Sequence, residues 1–243
     1  MRNSTGWGRA ASFAALATLA GCGPRGASPK GPIMGYWTPA PPGATWEVAE
    51  RNTGSYGHDA QFTLTREDLR WKGTPVMALR ASSGPTIVAE PVGGRTIAVL
   101  GPEGDPLLSY DPPVGWVYPL NVGKTWSQHE HMTLHAVGKI IEFDLNCEVE
   151  DYENLTVRAG NFNAFRIHCS SNNGSDETYW TSPRVGSFVK TQLLRAPSSP
   201  FGAGTQQTEL VRRPSVPPHL LIGGAGRSPP SPAPLAALTR PAS

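Results

Sequence analysis

Two groups of residues in this 243-residue chain have types and spacings suited to chemistry. One is the histidine cluster His129-Glu130-His131, with His135 beyond it; the other is three cysteines, Cys22, Cys147 and Cys169. In an extended strand, residues two apart project from one face, about 6–7 Å apart along the chain, so His129 and His131 are spaced as two ligands of one Zn²⁺. His135 lies four residues further on, out of reach unless a bulge intervenes. No cysteine or separate carboxylate is evident to complete such a site, and a solvated polar strand face is the competing reading. Glu148, Glu150, Asp151 and Glu153 form an acidic cluster around an expected turn, without the spaced oxygen ligands of a calcium loop. His58-Asp59 has no nucleophile motif to accompany it. There is no phosphate loop, Walker motif or dinucleotide fingerprint. No cofactor is expected, and the chain reads as a non-enzyme.

The elements that must position these residues are strands. Between Gly/Pro-rich ends the sequence alternates apolar and polar residues and is punctuated by Gly, Pro, Asn and Asp. Expected strands are Thr45–Arg51, Gln61–Thr65, Pro75–Arg80, Thr86–Ala89, Thr96–Leu100, Thr125–Ala136, Lys139–Glu150, Phe162–Ser170, Glu177–Trp180, Phe188–Leu194 and Gln207–Val211. Near Arg66–Trp71 the sequence allows a helical turn, too short to matter to the fold. The fold class is all-β: an antiparallel curved sheet, β-sandwich or half-barrel. Trp126, Met132 and Leu134 define the buried face of the histidine strand, which puts the histidines outside. Of the tryptophans, most read as core.

Alternation also orients two of the cysteines. Ile141, Phe143, Leu145, Cys147 and Val149 share one face, as do Phe165, Ile167 and Cys169, so both sulfurs point to the apolar side. If the two strands are antiparallel neighbours, the sulfurs meet, with "VEDYENLTVRAGN" as the excursion that returns the chain. A Cys147–Cys169 disulfide suits an oxidising compartment; two separate buried thiols are the alternative.

Cys22 is set apart by its context. Arg2 and Arg9, the apolar run Ala10–Ala20 and the small residues after it have the order of a secretory signal, too short to span a bilayer. Leu19-Ala20-Gly21-Cys22 resembles the lipobox of bacterial lipoproteins, which implies cleavage before Cys22 and a diacylglycerol on its sulfur. Gly23 after it, by the same analogy, implies an outer-membrane lipoprotein facing the periplasm. The domain reading is 1–21 signal peptide, 22–35 flexible tether, 36–211 single β domain and 212–243 disordered Pro-rich tail. Loss of residues 1–21 removes two arginines and takes the formal charge from +2 to zero. A neutral chain has no general attraction for nucleic acid, so the membrane partner is reached through lipid.

Three stretches, "YPLNVGKTW" (118–126), "LTVRAGNFNAFRI" (155–167) and "YWTSPRVGSFVK" (179–190), together resemble an uncharacterised family of bacterial lipoproteins and periplasmic β-proteins over about residues 115–195. The resemblance implies a curved antiparallel sheet in the style of lipoprotein-carrier half-barrels and brings no catalytic residues. Physically, Gly123, Gly160 and Gly186 are turn or bulge positions, and Trp126, Phe162, Phe165 and Trp180 are packing anchors. The expected function is binding of a lipid-like ligand or an envelope protein through one sheet face. The alternatives are a structural or assembly lipoprotein acting through protein contacts and, ranked lower, a metal enzyme using His129 and His131.

Overall fold

The structure, a computed structural model, describes residues 31–186 and 188–216. The expected signal peptide, Cys22, most of the tether and the tail beyond residue 216 lie outside the described residues. The all-β reading is correct: twelve strands and no helix occur among the described residues. They are β1 (Thr45–Gly54), β2 (Ala60–Trp71), β3 (Thr74–Ala81), β4 (Thr86–Ala89), β5 (Thr96–Leu100), β6 (Pro106–Val114), β7 (Thr125–Leu134), β8 (Lys139–Val157), β9 (Gly160–Ser171), β10 (Ser175–Thr181), β11 (Phe188–Arg195) and β12 (Gly204–Ser215).

Each strand pairs antiparallel with the next, and β12 pairs back onto β1, so the curved sheet closes into an up-and-down barrel. The closing ladder runs from Thr45↔Ser215 to Gly54↔Gly204 and is in unbroken register from Val48↔Leu210 onward. Closure removes the free edges that an open sheet would leave unpaired. The connections β1–β2, β3–β4, β5–β6, β7–β8, β9–β10 and β11–β12 share one end of the barrel, here the hairpin end. The remaining connections and the entry of the chain share the other.

Several local expectations are corrected. Arg66–Trp71 is not a helix but the second half of β2, paired from Arg66↔Leu79 to Trp71↔Thr74. Its return is a two-residue turn, Lys72 (φ 49°) and Gly73 (φ 82°), the doubly left-handed geometry that matches strand twist. "VEDYENLTVRAGN" is no excursion. β8 and β9 continue as one long hairpin to Val157↔Gly160, with a bulge between Val149 and Asp151, so the acidic cluster lies along a strand rather than around a turn. β6 was not anticipated. Its Pro112 and Pro113 lie where neither neighbour's register includes them, between Asp111↔His131 and Thr96↔Val114, so no ladder bond is forfeited. β12 runs to Ser215, past the boundary expected at 211, and Met34, assigned to the tether, is buried and bridged to Leu120.

Burial follows the two-residue period. On β8, Phe143, Leu145, Cys147 and Val149 are buried while Glu142, Asp144, Asn146, Glu148 and Glu150 are exposed. A membrane-spanning barrel carries an apolar band on its outside; this one is charged outside and apolar within. On β9, Phe165 and Ile167 are fully buried with the two cysteines, and Phe162 and Ala164 pack with Trp46, Val48, Trp180 and Leu210 in a second cluster. The N-terminal segment before β1 covers the end of the barrel opposite the hairpin end. Ala40 and Ala44 join the second cluster, and Trp37 packs flat on Gly94. Gly186 makes this possible: its φ is +65°, and a Cβ there would stand 2.6 Å from Ala40 N and 2.8 Å from Thr38 O.

Candidate functional site

Registers bring Trp126, Cys147, Cys169, Glu177 and Leu193 into one inward row across β7–β11, and Ile167, Tyr179 and Thr191 into the next. The side chains do not fill the barrel at this level. A cavity of about 330 Å³ remains, running from Tyr56, Asn173, Arg195 and Phe201 at the hairpin end to Gly94, Thr96 and Trp116 near the covered end. Its wall is aromatic and aliphatic. Trp116 meets Tyr179 edge-on at 5.1 Å and stacks on Phe188 at 5.3 Å; Leu108, Met132, Phe143 and Leu145 complete it. A smaller apolar space of about 80 Å³ adjoins it beneath Trp37 and shares Gly94, Thr96, Trp116 and Phe188 with it.

Polar groups are few and specifically placed. Glu177 accepts a short hydrogen bond from the Tyr179 hydroxyl, and burial pushes its carboxyl above the ordinary range. The Tyr179 and Tyr110 hydroxyls are likewise raised by burial. Arg195, at the hairpin end, lies with its guanidinium 4.0 Å from the Tyr56 ring centre and 4.8 Å from that of Phe201. Among the described residues no carboxylate comes within ion-pair distance of it and no acceptor takes a hydrogen bond from it. Two aromatic faces hold the cation in place and leave its planar donor edge unused. The indole nitrogens of Trp116 and Trp126, both on lining residues, are buried without a partner among the described residues.

Glu130 was missed in the sequence, although alternation puts it on the buried face with Trp126 and Met132. It is fully buried opposite Phe143, and neither carboxylate oxygen has a hydrogen-bond partner among the described residues. Burial raises its carboxyl to about 7; Arg95, His131 and His129 pull it the other way. Glu177 and Arg195 were equally unmarked. Neither belongs to a recognisable motif, and the inward aim of each depends on the ladder it joins.

The residues singled out from sequence that lie among the described residues fall in separate places. Cys147 and Cys169 are directly opposite in the ladder, form a disulfide and line the cavity. His129 and His131 are exposed on the outer face of β7, as alternation predicts, each facing an acid of β8: His129↔Asp144 and His131↔Glu142. The Asp144 hydrogen bond is the largest influence on the His129 imidazole and raises its pKa. His135 is separate, bonded through Nε2 to the Ser109 hydroxyl at 2.9 Å. His58 and Asp59 serve the β1–β2 turn: Asp59 accepts from Asn52 N and His58 O from Asn52 Nδ2, each at 2.8 Å.

No protein-family model matches the chain, and no curated protein matches it. Among solved structures it is similar to the hypothetical lipoprotein YmcC from Escherichia coli, at 9% identity and a TM-score of 0.41, covering 70% of this chain and 84% of that one. A presumed lipoprotein from Parabacteroides distasonis aligns at 13% identity and a TM-score of 0.37, over 74% of this chain and 99% of that one. A presumed exported protein with a YmcC-like fold from Bacteroides fragilis aligns at 10% identity and a TM-score of 0.40, over 74% and 99% of the two chains.

Proposed function

We propose that this chain is a lipid-anchored protein of the cell envelope, attached through Cys22 on the periplasmic side of the outer membrane, whose barrel holds a lipid-like ligand without transforming it. The observation that carries the binding half is the cavity of about 330 Å³ with Arg195, which has no ion-pair partner among the described residues, at its hairpin end. That volume is at the lower end of the roughly 300–1,000 Å³ of small-molecule sites, which combine apolar walls with a few polar groups. The aromatic wall suits an alkyl chain, and Arg195 suits a carboxylate or phosphate at the head of that chain. The ligand class is therefore a single-chain anionic amphiphile.

A non-catalytic role agrees with the lining, which contains no histidine and no free thiol, its two cysteines being bonded to each other. Its carboxylate, Glu177, is occupied by Tyr179. Assembly by strand addition finds little support, because the described strands close on one another and offer no edge. The anchor rests on the Leu-Ala-Gly-Cys box and on the basic and apolar order of the residues before it.

The test is mass spectrometry of the mature full-length chain extracted from its own envelope in mild detergent. The expected species begins at an acylated Cys22 and carries one copurified single-chain amphiphile. An unacylated chain would remove the anchor. A chain that arrives empty and shows no saturable binding of a fluorescent fatty acid would remove the ligand.

A further inference from the structure

We infer that the outer face of β7 and β8 carries a divalent transition-metal site of the zinc type, formed by His129, His131 and Glu142. One ring nitrogen of each histidine and one carboxylate oxygen of Glu142 all lie within 4.8 Å of one another. The two imidazoles stand edge to face with centres 5.2 Å apart. Tetrahedral ligation at about 2.0–2.2 Å per bond needs the donor atoms about 3.3–3.5 Å apart, so the side chains must close by roughly an ångström. All three are exposed and free to do so.

The second observation is how the rings are oriented from behind. His129 Nδ1–H donates to Asp144 Oδ1 at 2.7 Å, and Asp144 is itself fixed by Asn172, whose Nδ2 donates to Asp144 Oδ2 at 3.1 Å. His131 Nδ1–H donates to the backbone carbonyl of Asp111 at 3.0 Å. A carboxylate and a carbonyl accept only, so each ring carries its proton on Nδ1 and, when neutral, presents a lone pair at Nε2. This is the arrangement in which metal-binding histidines are normally held, one nitrogen tied to a carboxylate or carbonyl and the other ligating. His131 Nε2 is 3.7 Å from Glu142 Oε1, two acceptors facing each other with room for a cation between them. Two imidazoles and a carboxylate suit zinc and its neighbours rather than magnesium or calcium, and three protein ligands leave a coordination position open.

The test uses the mature full-length chain in detergent, without a polyhistidine tag, titrated calorimetrically with Zn²⁺ and Mg²⁺ near pH 7.5. One equivalent of Zn²⁺ is expected to bind and Mg²⁺ not to bind. Co²⁺ is expected to give the visible spectrum of four or five ligands. His129→Ala, His131→Ala and Glu142→Ala are each expected to weaken Zn²⁺ at least about a hundredfold. Asp144→Asn, which loosens the orienting bond without removing a ligand, is expected to weaken it about tenfold. These are surface positions, so an unchanged circular dichroism spectrum separates loss of the site from loss of the fold. The inference is overturned if no Zn²⁺ binds, if binding survives both histidine substitutions, or if Asp144→Asn changes nothing.

Discussion

Cys147 on β8 and Cys169 on β9 lie directly opposite each other with Cα atoms 4.1 Å apart, and the bond between their sulfurs forms part of the cavity wall. The bond therefore ties two strands together and also shapes the space they enclose. Its sequence separation is 22 residues, a loop for which cross-linking stabilises by about 3 kcal/mol on the chain-entropy model. Reduction, or the double substitution to Ala, is expected to lower stability in urea by about 2–3 kcal/mol, because the hairpin already brings the strands together. An unchanged urea midpoint under reducing conditions would show that the bond adds nothing to the ladder.

Arg195 has two aromatic rings behind it and, among the described residues, no carboxylate within ion-pair distance, although Glu177 of the same cavity feels its charge. Arg195→Ala is expected to weaken a fluorescent anionic amphiphile by about tenfold or more, equivalent to ~1.4 kcal/mol for a charge-assisted contact. A neutral amphiphile of the same chain length is expected to bind both proteins alike. Equal losses for the two ligands would mean that Arg195 supports the wall rather than reading a headgroup.

Glu130 gives the barrel a pH dependence with a definite sign. Its carboxyl is raised from 4.5 to about 7 in the folded chain. The folded state thus binds more protons than the unfolded state between those values. Stability is greatest below about pH 4.5 as far as this group is concerned, and its contribution is lost as pH rises through 7, on the order of 3 kcal/mol in all. Glu130→Gln keeps the shape and removes the charge. It is expected to be more stable than the wild type at pH 8 and to converge with it below pH 5, measured by urea unfolding across that range. A constant difference across the range would show that Glu130 does not titrate there.

Phe165 is fully buried, its ring 4.8 Å from that of Tyr152, in the cluster that includes the disulfide. Phe165→Ala is expected to cost about 3–5 kcal/mol, through lost burial plus the void left behind. A cost under 1 kcal/mol by thermal or chemical unfolding would mean that this layer collapses freely to refill the space.

Cys22→Ser tests the anchor. The variant is expected to leave the membrane fraction and appear in the soluble periplasmic extract, since the acyl chains on Cys22 are the attachment proposed above. Retention in the membrane fraction would require another means of attachment.

The parts of this molecule that were legible beforehand are those governed by local alternation. Alternation puts Phe143, Leu145, Cys147, Phe165, Ile167 and Cys169 on the apolar side of their strands, and they are buried together there. His129 and His131 were assigned outside and are outside. Gly123, Gly160 and Gly186, read as turn positions, all have positive φ. The errors have separate causes. Arg66–Trp71 is polar enough to suggest a helical turn, but its ladder with β3 overrides the local preference. Asp151–Val157 looked like a loop because the bulge after Val149 shifts its alternation by one residue. β6 was hidden by prolines that the structure places between two registers.

The sequence by itself determined that the chain is built of antiparallel strands, which way most of their side chains point, and that two of its cysteines share a buried face. Side-chain direction in a strand repeats every two residues and needs no distant partner to be read. Only the tertiary structure decided that the sheet closes. Val48 and Leu210 are partners far apart in the chain, and their meeting depends on twist, bulges and register summed over all twelve strands. Closure places Tyr56 from the first hairpin against Arg195 beside the last, encloses Glu177 and Glu130, and turns an apolar sheet face into a cavity. The candidate ligand site is a product of that long-range pairing, whereas the outer His129–His131 pair comes from a single strand.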